Sequence, residues 1–338
     1  MKTVFAKAPL RLAMAGGGTD LMPYWSNYGG VVLNGTIDQY AYCKIEPHHE
    51  WLFVSVDLNN HQAFSYLDKE YVSGSMKLLI NTYQYLTKDL DREPVKITTY
   101  VEAPPGSGLG SSSALVVALI SAIAEYYAIP LGEYDIAEYA VDVERNICDL
   151  PGGKQDQFAA AFGGFNFIEF LPDGRTIVNP LRLNFKTQNM LELSTVLYYV
   201  GKPRKSERVI ETTSQNLMKN DQLTLQATHR IKDACIEYKR SLLLGDVDKI
   251  CETMNTYWKN KIQTNKNVAS PELIDSYEFA LQNGAKAAKI SGAGGGGHMI
   301  LFTDFEKRHQ LITALKERNI GRIVPFKFVK HGVDVWRQ

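Results

Sequence analysis

The sequence has little of what would mark a nucleic-acid, membrane or structural-metal protein. Lysine plus arginine and aspartate plus glutamate number 37 each, so the formal net charge is zero. The broad attraction that polyanion binders and membrane-surface proteins carry is therefore missing. A small-molecule site is the expectation, with no nucleic acid and no membrane among the partners. Only four cysteines occur, at 43, 148, 235 and 251, with no C-x-x-C and no histidine at a ligand spacing. They read as reduced core thiols, which points to a cytoplasmic protein. No run is long and apolar enough to span a bilayer. The opening "MKTVFAKAPLRLAMAGGGTD" is basic and briefly apolar, but glycines and an aspartate interrupt it, so no secretory leader is expected. Internal repeats, low-complexity tracts and long linkers are also lacking.

What is present is a chain of 338 residues, longer than one core usually grows, so two domains are expected. Residues 4–14 and 31–45 alternate apolar with polar, as half-buried strands do. Residues 76–90 carry helical spacing, and "VKITTYVE" after Pro94 puts Val95, Ile97, Thr99 and Val101 on one strand face. Helices follow at about 112–128 and, past Pro130, at about 133–146, with a Pro-Gly-Gly break at 151–153. "FGGFNFIEF" resumes strand character. Long helical patterns then fill 206–258, and "AKAAKISGAGGGGHMILFTD" reads strand, glycine turn, strand. The division is set at 1–185 and 186–338, with interleaving of the two parts expected.

Between the strand at 95–101 and the next helix lies "PPGSGLGSSSA", residues 104–114. Glycines at 106, 108 and 110 let backbone N–H groups converge, and a helix start adds unpaired N–H groups and the positive dipole end. Such a loop suits an anion, in particular phosphate. Ser111, Ser112 and Ser113 can cap that helix, and one hydroxyl can also reach a magnesium ion carried on phosphates. The chain contains no G-x-x-x-x-G-K-[ST], so this is not a Walker loop. A dinucleotide fold would need another strand after the helix, where Pro130 instead leads into a second helix.

Residues 104–114 resemble the phosphate-binding motif of the GHMP kinases. Two further segments match the same family in order, "APLRLAMAGGGTDL" at 8–21 and "KISGAGGGGHMILF" at 289–302. The resemblance implies a two-domain α+β fold, with an N-terminal domain like ribosomal protein S5 domain 2 and a ferredoxin-like C-terminal domain. It implies ATP against the backbone of Pro105, Gly106, Ser107, Gly108, Leu109, Gly110, Ser111, Ser112 and Ser113, with Mg²⁺ on Ser112 and Glu144. It makes Asp156 in "GGKQDQF" the catalytic aspartate, as base or as orienter of the acceptor hydroxyl, with Arg11 beside the transferred group. Gly17, Gly18, Asp20 and Gly153 fall on the sugar side. Plainer readings stand beside these: an N-cap for Ser112, a solvated helix face for Glu144, helix capping by Asp156, a surface position for Arg11, and a simple turn at Asp20. The glycines of the third motif read as a wall over the site, or merely as a tight connection between strands. His298 reads as a core residue.

Within the family, "APLRLAMAGGGTDLMPYWSNYGGVVLNGTIDQYAY" and "GGKQDQFAAAFGGFNFIEF" look most like the branch that phosphorylates the anomeric hydroxyl of D-glycero-D-manno-heptose 7-phosphate for nucleotide-heptose and surface-polysaccharide synthesis. Such a substrate needs a clamp for its distal phosphate. "GKPRKSERV" offers Lys202, Arg204, Lys205 and Arg208, and Lys154 competes for the role. The alternatives are a free-sugar 1-kinase for fucose, galactose or a hexosamine, and a catalytically silent nucleotide- and sugar-binding sensor; a family decarboxylase fits the sugar-type motifs less well. Oligomeric state stays open, a homodimer included.

Overall fold

The computed structural model describes residues 3–67, 70–201 and 206–338. The alternating start of the chain forms a long strand, β1 (Val4–Ala15), antiparallel to β2 (Gly30–Pro47), with pairing from Val4 opposite Ile45 to Ala15 opposite Leu33. From Ala8 onward β1 is buried on both faces, because later parts of the chain cover the side that its first turns leave partly open. Two strands missed by sequence reading, β3 (Trp51–Ser55) and β4 (Asn60–Phe64), make a hairpin, and β3 runs parallel to β5 (Val95–Val101). The two ends of β2 serve different partners. Its second half pairs with β5 and its first half with β6 (Phe165–Phe170), which in turn pairs with β7 (Thr176–Pro180).

The helix Ser111–Tyr127 is buried at every position from Ser113 to Ala124. A helix apolar on all sides belongs in the middle of a domain, and this one packs against both β1 and β2. Its start is thereby fixed at the end of β5, where the glycine-rich loop must sit.

The second sheet is wholly antiparallel, in the order β11 (Arg322–Val324), β8 (Thr195–Tyr199), β10 (His298–Thr303), β9 (Ala285–Ile290). Helices Gln222–Leu244 and Val247–Thr264 pack on each other and bridge to the first sheet. One core cluster contains residues of both halves, among them Leu12, Val32, Tyr238, Met254 and Ile300. The last strand, β12 (Asp334–Arg337), returns to pair with β1. A cut at 185/186 separates the strands of the two sheets except β12, which follows it in sequence yet pairs within the first sheet. All four cysteines are free and buried. Among the described residues no helix is long and apolar enough to cross a membrane.

Gly16 ends β1 at φ +84°, where an added Cβ would collide with the Val31 carbonyl and lie 2.7 Å from Val32 Cα. Gly174 has φ +93° with nothing within 4 Å of such a Cβ. Gly174→Ala should therefore carry only the backbone strain, about 1 kcal/mol, and Gly16→Ala at least about 2 kcal/mol more. Chemical denaturation of the two variants checks this, and equal losses would show that the close packing around Gly16 yields at no cost.

Candidate active site

The loop after β5 turns through Gly106, Gly108 and Gly110, all at φ between 72° and 76°. At Gly108 a side chain has no room, since a Cβ would come within 2.5 Å of the Ser291 carbonyl in the β9–β10 turn. That turn, the third sequence motif, is both a tight antiparallel connection and a wall: Gly292 and Ala293 line a cavity of about 490 Å³ together with the loop. Pro105, Gly106, Gly108, Gly110, Ser111, Ser112 and Ser113 face the same cavity. Ser107 and Leu109 do not line it, and both are fully buried. The Ser107 carbonyl accepts hydrogen bonds from the His298 backbone N–H at 3.0 Å and from His298 Nδ1 at 2.8 Å. His298 is a core residue as expected, its pKa lowered chiefly by burial.

The serines do not cap the helix. Gly110 occupies the N-cap position in a left-handed conformation, and no side-chain cap bond forms. Ser112 is exposed, whereas Ser113 is buried and donates to Glu144 Oε2 at 2.6 Å. Glu144 is 1% exposed, so it is no solvated helix face. It lies in a π-helical turn, Val143–Ile147, that follows the helix Glu133–Asp142, and Gln157 also donates to Oε2. π-Turns gather at functional positions because the extra residue re-aims a side chain. Gln157, a neighbour of Asp156 in sequence, had no signal beyond that adjacency.

Arg11 is 4% exposed rather than on the surface. Its Nε and Nη2 donate to the two oxygens of Asp156 at 2.9 and 2.7 Å, and its Nη1 donates to the Gly108 carbonyl at 2.6 Å. Its own backbone N–H donates to the Leu109 carbonyl at 3.0 Å. Asp156 stands in the first turn of the helix Gln155–Phe162, whose N-cap is Lys154 with no side-chain cap bond. Helix capping does not account for Asp156. The arginine does.

On the next wall, Asp20 is buried and its Oδ1 accepts from the Gly18 N–H at 2.8 Å. Burial raises its pKa most, opposed by that N–H, with further upward pressure from the charge of Asp156. The carboxylate lies so close over Gly153 that any Cβ there would overlap it. Gly17 and Gly18 line the cavity beside it. Lys154 is not part of this wall. Its ammonium sits 4.5 Å from the Trp25 ring centroid and 3.4 Å from the Gly174 carbonyl, with its pKa lowered by burial. Lys202 and Arg204 lie outside the described residues. Sequence reading missed three further cations that line the cavity, Lys77, Arg145 and Lys261.

Two family models match the chain, GHMP kinases N terminal domain over residues 71–164 and GHMP kinases C terminal over residues 238–321. The chain belongs to the GHMP kinases. It is 40% identical over its full length to the full length of a D-glycero-alpha-D-manno-heptose 7-phosphate kinase of Campylobacter jejuni. Among solved structures it is similar to a D-glycero-D-manno-heptose 1-phosphate kinase from Bacteroides thetaiotaomicron, with 35% identity, a TM-score of 0.83 and 98% of each chain covered. It is similar also to a putative sugar kinase from Campylobacter jejuni, with 38% identity, a TM-score of 0.82, and 100% and 99% covered.

The outward position of Lys154 gives a direct expectation. Lys154→Ala should leave KM for sugar substrate and for ATP within about twofold and cost about 0.5–2 kcal/mol of stability through the lost cation–π contact. Steady-state kinetics beside a denaturation curve tests this, and a selective rise in sugar KM would put the side chain back in the binding wall.

Proposed function

We propose that this GHMP kinase transfers the terminal phosphoryl group of ATP to the anomeric hydroxyl of D-glycero-D-manno-heptose 7-phosphate, giving the 1,7-bisphosphate. The choice of sugar leans on the full-length relative of that name. The reaction type leans on one observation in this chain: Arg11 binds the carboxylate of Asp156 and the carbonyl of Gly108 with the same guanidinium. An acceptor hydroxyl resting on Asp156 is thereby held against the loop whose N–H groups suit phosphate.

Phosphoryl transfer demands positioning and neutralised charge more than covalent help from the protein. Arg11 occupies two lone-pair directions of the Asp156 carboxylate, and a carboxylate has about four. The remaining ones accept the hydroxyl hydrogen, so Asp156 orients the attacking oxygen and takes its proton as the new P–O bond forms and the bond to the departing ADP breaks. The Arg11 guanidinium keeps a positive charge beside the transferring group. Asp20 and the glycine turn at Gly17 and Gly18 supply an acceptor and close backbone approach for sugar hydroxyls. Magnesium suits the donor set, because Glu144 is a buried carboxylate that still faces the cavity and Ser112 offers an exposed hydroxyl, both hard oxygens. When bound, the cation neutralises phosphate charge. Ser113 and Gln157 fix the carboxylate that would hold it.

A second assignment of the same sugar chemistry follows from the relative named for heptose 1-phosphate, in which the other end of the sugar would arrive already phosphorylated. Incubation with ATP and either heptose 7-phosphate or heptose 1-phosphate, with ³¹P NMR of the product, separates the two. Consumption of the 7-phosphate with a new anomeric phosphate signal is expected.

Asp156→Asn should lower kcat by about 10²–10⁴ with little effect on ATP affinity, since it removes an acid–base or orienting group and leaves the loop intact. Turnover near that of the wild type would take Asp156 out of the mechanism. Glu144→Gln should raise the Mg²⁺ concentration needed for half-maximal rate, one hard ligand having lost its charge. An unchanged magnesium titration would assign Glu144 to scaffolding around Ser113 and Gln157.

A further inference from the structure

Lys261 extends from the helix Val247–Thr264 into the cavity and is only 6% exposed. Its ammonium donates to the Gly17 carbonyl at 2.8 Å and would lie 3.0 Å from a Cβ on Gly18, so it is lodged against the turn that carries Asp20. Among the described residues, the other cations that line the cavity either have more partners or, in Lys77, are less buried. Arg11 is taken by Asp156 and Gly108, Arg145 donates three hydrogen bonds to the carbonyls of Gly153 and Leu150, and Lys77 donates to the Cys148 carbonyl at 2.6 Å. Lys261 has three donors to place, and among the described residues it makes one side-chain hydrogen bond and no ion pair within 4.0 Å.

A buried ammonium with one carbonyl partner is costly. Burial depresses its pKa to about 8, and the charge of Asp20 offsets only part of that. A second buried lysine, Lys289, lies on the strand Ala285–Ile290, and the charge of Lys261 is one of the causes that lower its pKa, after burial. Among the described residues no anion lies within ion-pair distance of the ammonium, on the wall where the sugar is placed. A phosphomonoester supplies what is missing, and lysine meets it as a compact point charge.

We infer that Lys261 is the cation that holds the phosphate already carried by the sugar and so selects a phosphorylated sugar over a free one. The inference rests on the heptose 7-phosphate reading above and puts a distal clamp on the helix 247–264 in place of Lys154, while Lys202 and Arg204 lie outside the described residues.

The test measures KM for heptose 7-phosphate and for free D-glycero-D-manno-heptose, at saturating ATP, in wild type, Lys261→Met and Lys261→Arg. Lys261→Met is expected to raise KM for the phosphorylated sugar about ten- to a hundred-fold while leaving KM for the free sugar and for ATP within about twofold. Lys261→Arg should keep most of the preference. Lys261→Gln, which retains a donor for the Gly17 carbonyl, replaces the methionine variant if that one does not fold, and the same selective loss is required of it. An equal rise in KM for both sugars overturns the inference, because Lys261 would then act by supporting the Gly17–Asp20 turn. No change in either also overturns it. A wild-type enzyme that fails to prefer the phosphorylated sugar overturns the heptose 7-phosphate reading itself, a result visible before any variant is made.

Discussion

The Arg11 guanidinium is the joint on which the rest of the site depends. It links three pieces of chain that are far apart in sequence: its own strand, the loop at Gly108 and the helix that carries Asp156. Burying a charged pair is unfavourable unless hydrogen bonds satisfy it, and removal of one partner leaves an uncompensated charge. Here the fork of one arginine meets both oxygens of one carboxylate, and the third nitrogen takes a carbonyl. The separation between the glycine-rich loop and the Asp156 carboxylate is thus set by a rigid planar group. A lysine at the same place would be a single point charge on a flexible stem and could not fix that separation.

Arg11 can be so placed only because β1 is clamped near its end by the other half of the molecule. Ala13, two residues on, donates its N–H to Ser291 Oγ at 3.4 Å, and its carbonyl accepts from the Lys289 ammonium. Both partners of Ala13, the Ser291 acceptor and the Lys289 donor, come from β9 or the turn that follows it. Beyond Ala13 the register against β2 slips by one residue, and the chain leaves the sheet for the Gly16–Gly18 turn. The β9–β10 connection therefore has two tasks. It closes over the phosphate loop at Gly108, and it holds the strand end from which Arg11 and Asp20 are both projected. Lys289 is fully buried, its pKa driven well down mainly by burial and further by the charges of Lys261 and Arg11. Its contact with the Tyr257 ring, 4.6 Å from nitrogen to centroid, is part of what makes the position tolerable.

Sequence reading reached the long elements because their patterns are physical necessities. The alternation in β1 and β2, the apolar run of Ser111–Tyr127 and the glycines that precede it each had one natural interpretation. It failed on short edge strands: β3 with β4 forms a hairpin at the sheet edge whose pattern is weak. The family resemblance pointed to Arg11, Asp156, Glu144 and Asp20, and the structure brings all four to one cavity. Direction was the part that could not be read. Lys154 is two residues from Asp156 in sequence yet turns to Trp25, while Lys261, in the helical stretch "WKNKIQT", turns inward. Which way a cation points is decided by tertiary packing that no local pattern encodes.

The π-turn at Val143–Ile147 shows how a small backbone departure can serve two walls at once. The Cys148 N–H reaches the Val143 carbonyl at 2.8 Å, five residues back, so the helix gains a residue in that turn. One consequence is that Glu144 swings under the loop helix to meet Ser113 and Gln157. The other is that the next side chain, Arg145, reaches the carbonyls of Gly153 and Leu150 at 2.9–3.2 Å and ties down the Pro151–Gly153 corner. That corner is where Gly153 lies against the carboxylate of Asp20, and it leads directly into the helix bearing Asp156. The Glu144 carboxylate under the loop helix and the Arg145 side chain that fixes the Pro151–Gly153 corner are thus consecutive residues of one distorted turn. Restoring a regular α-helix there would rotate both away together, which is a physical reason for the two sides of the cavity to keep their spacing.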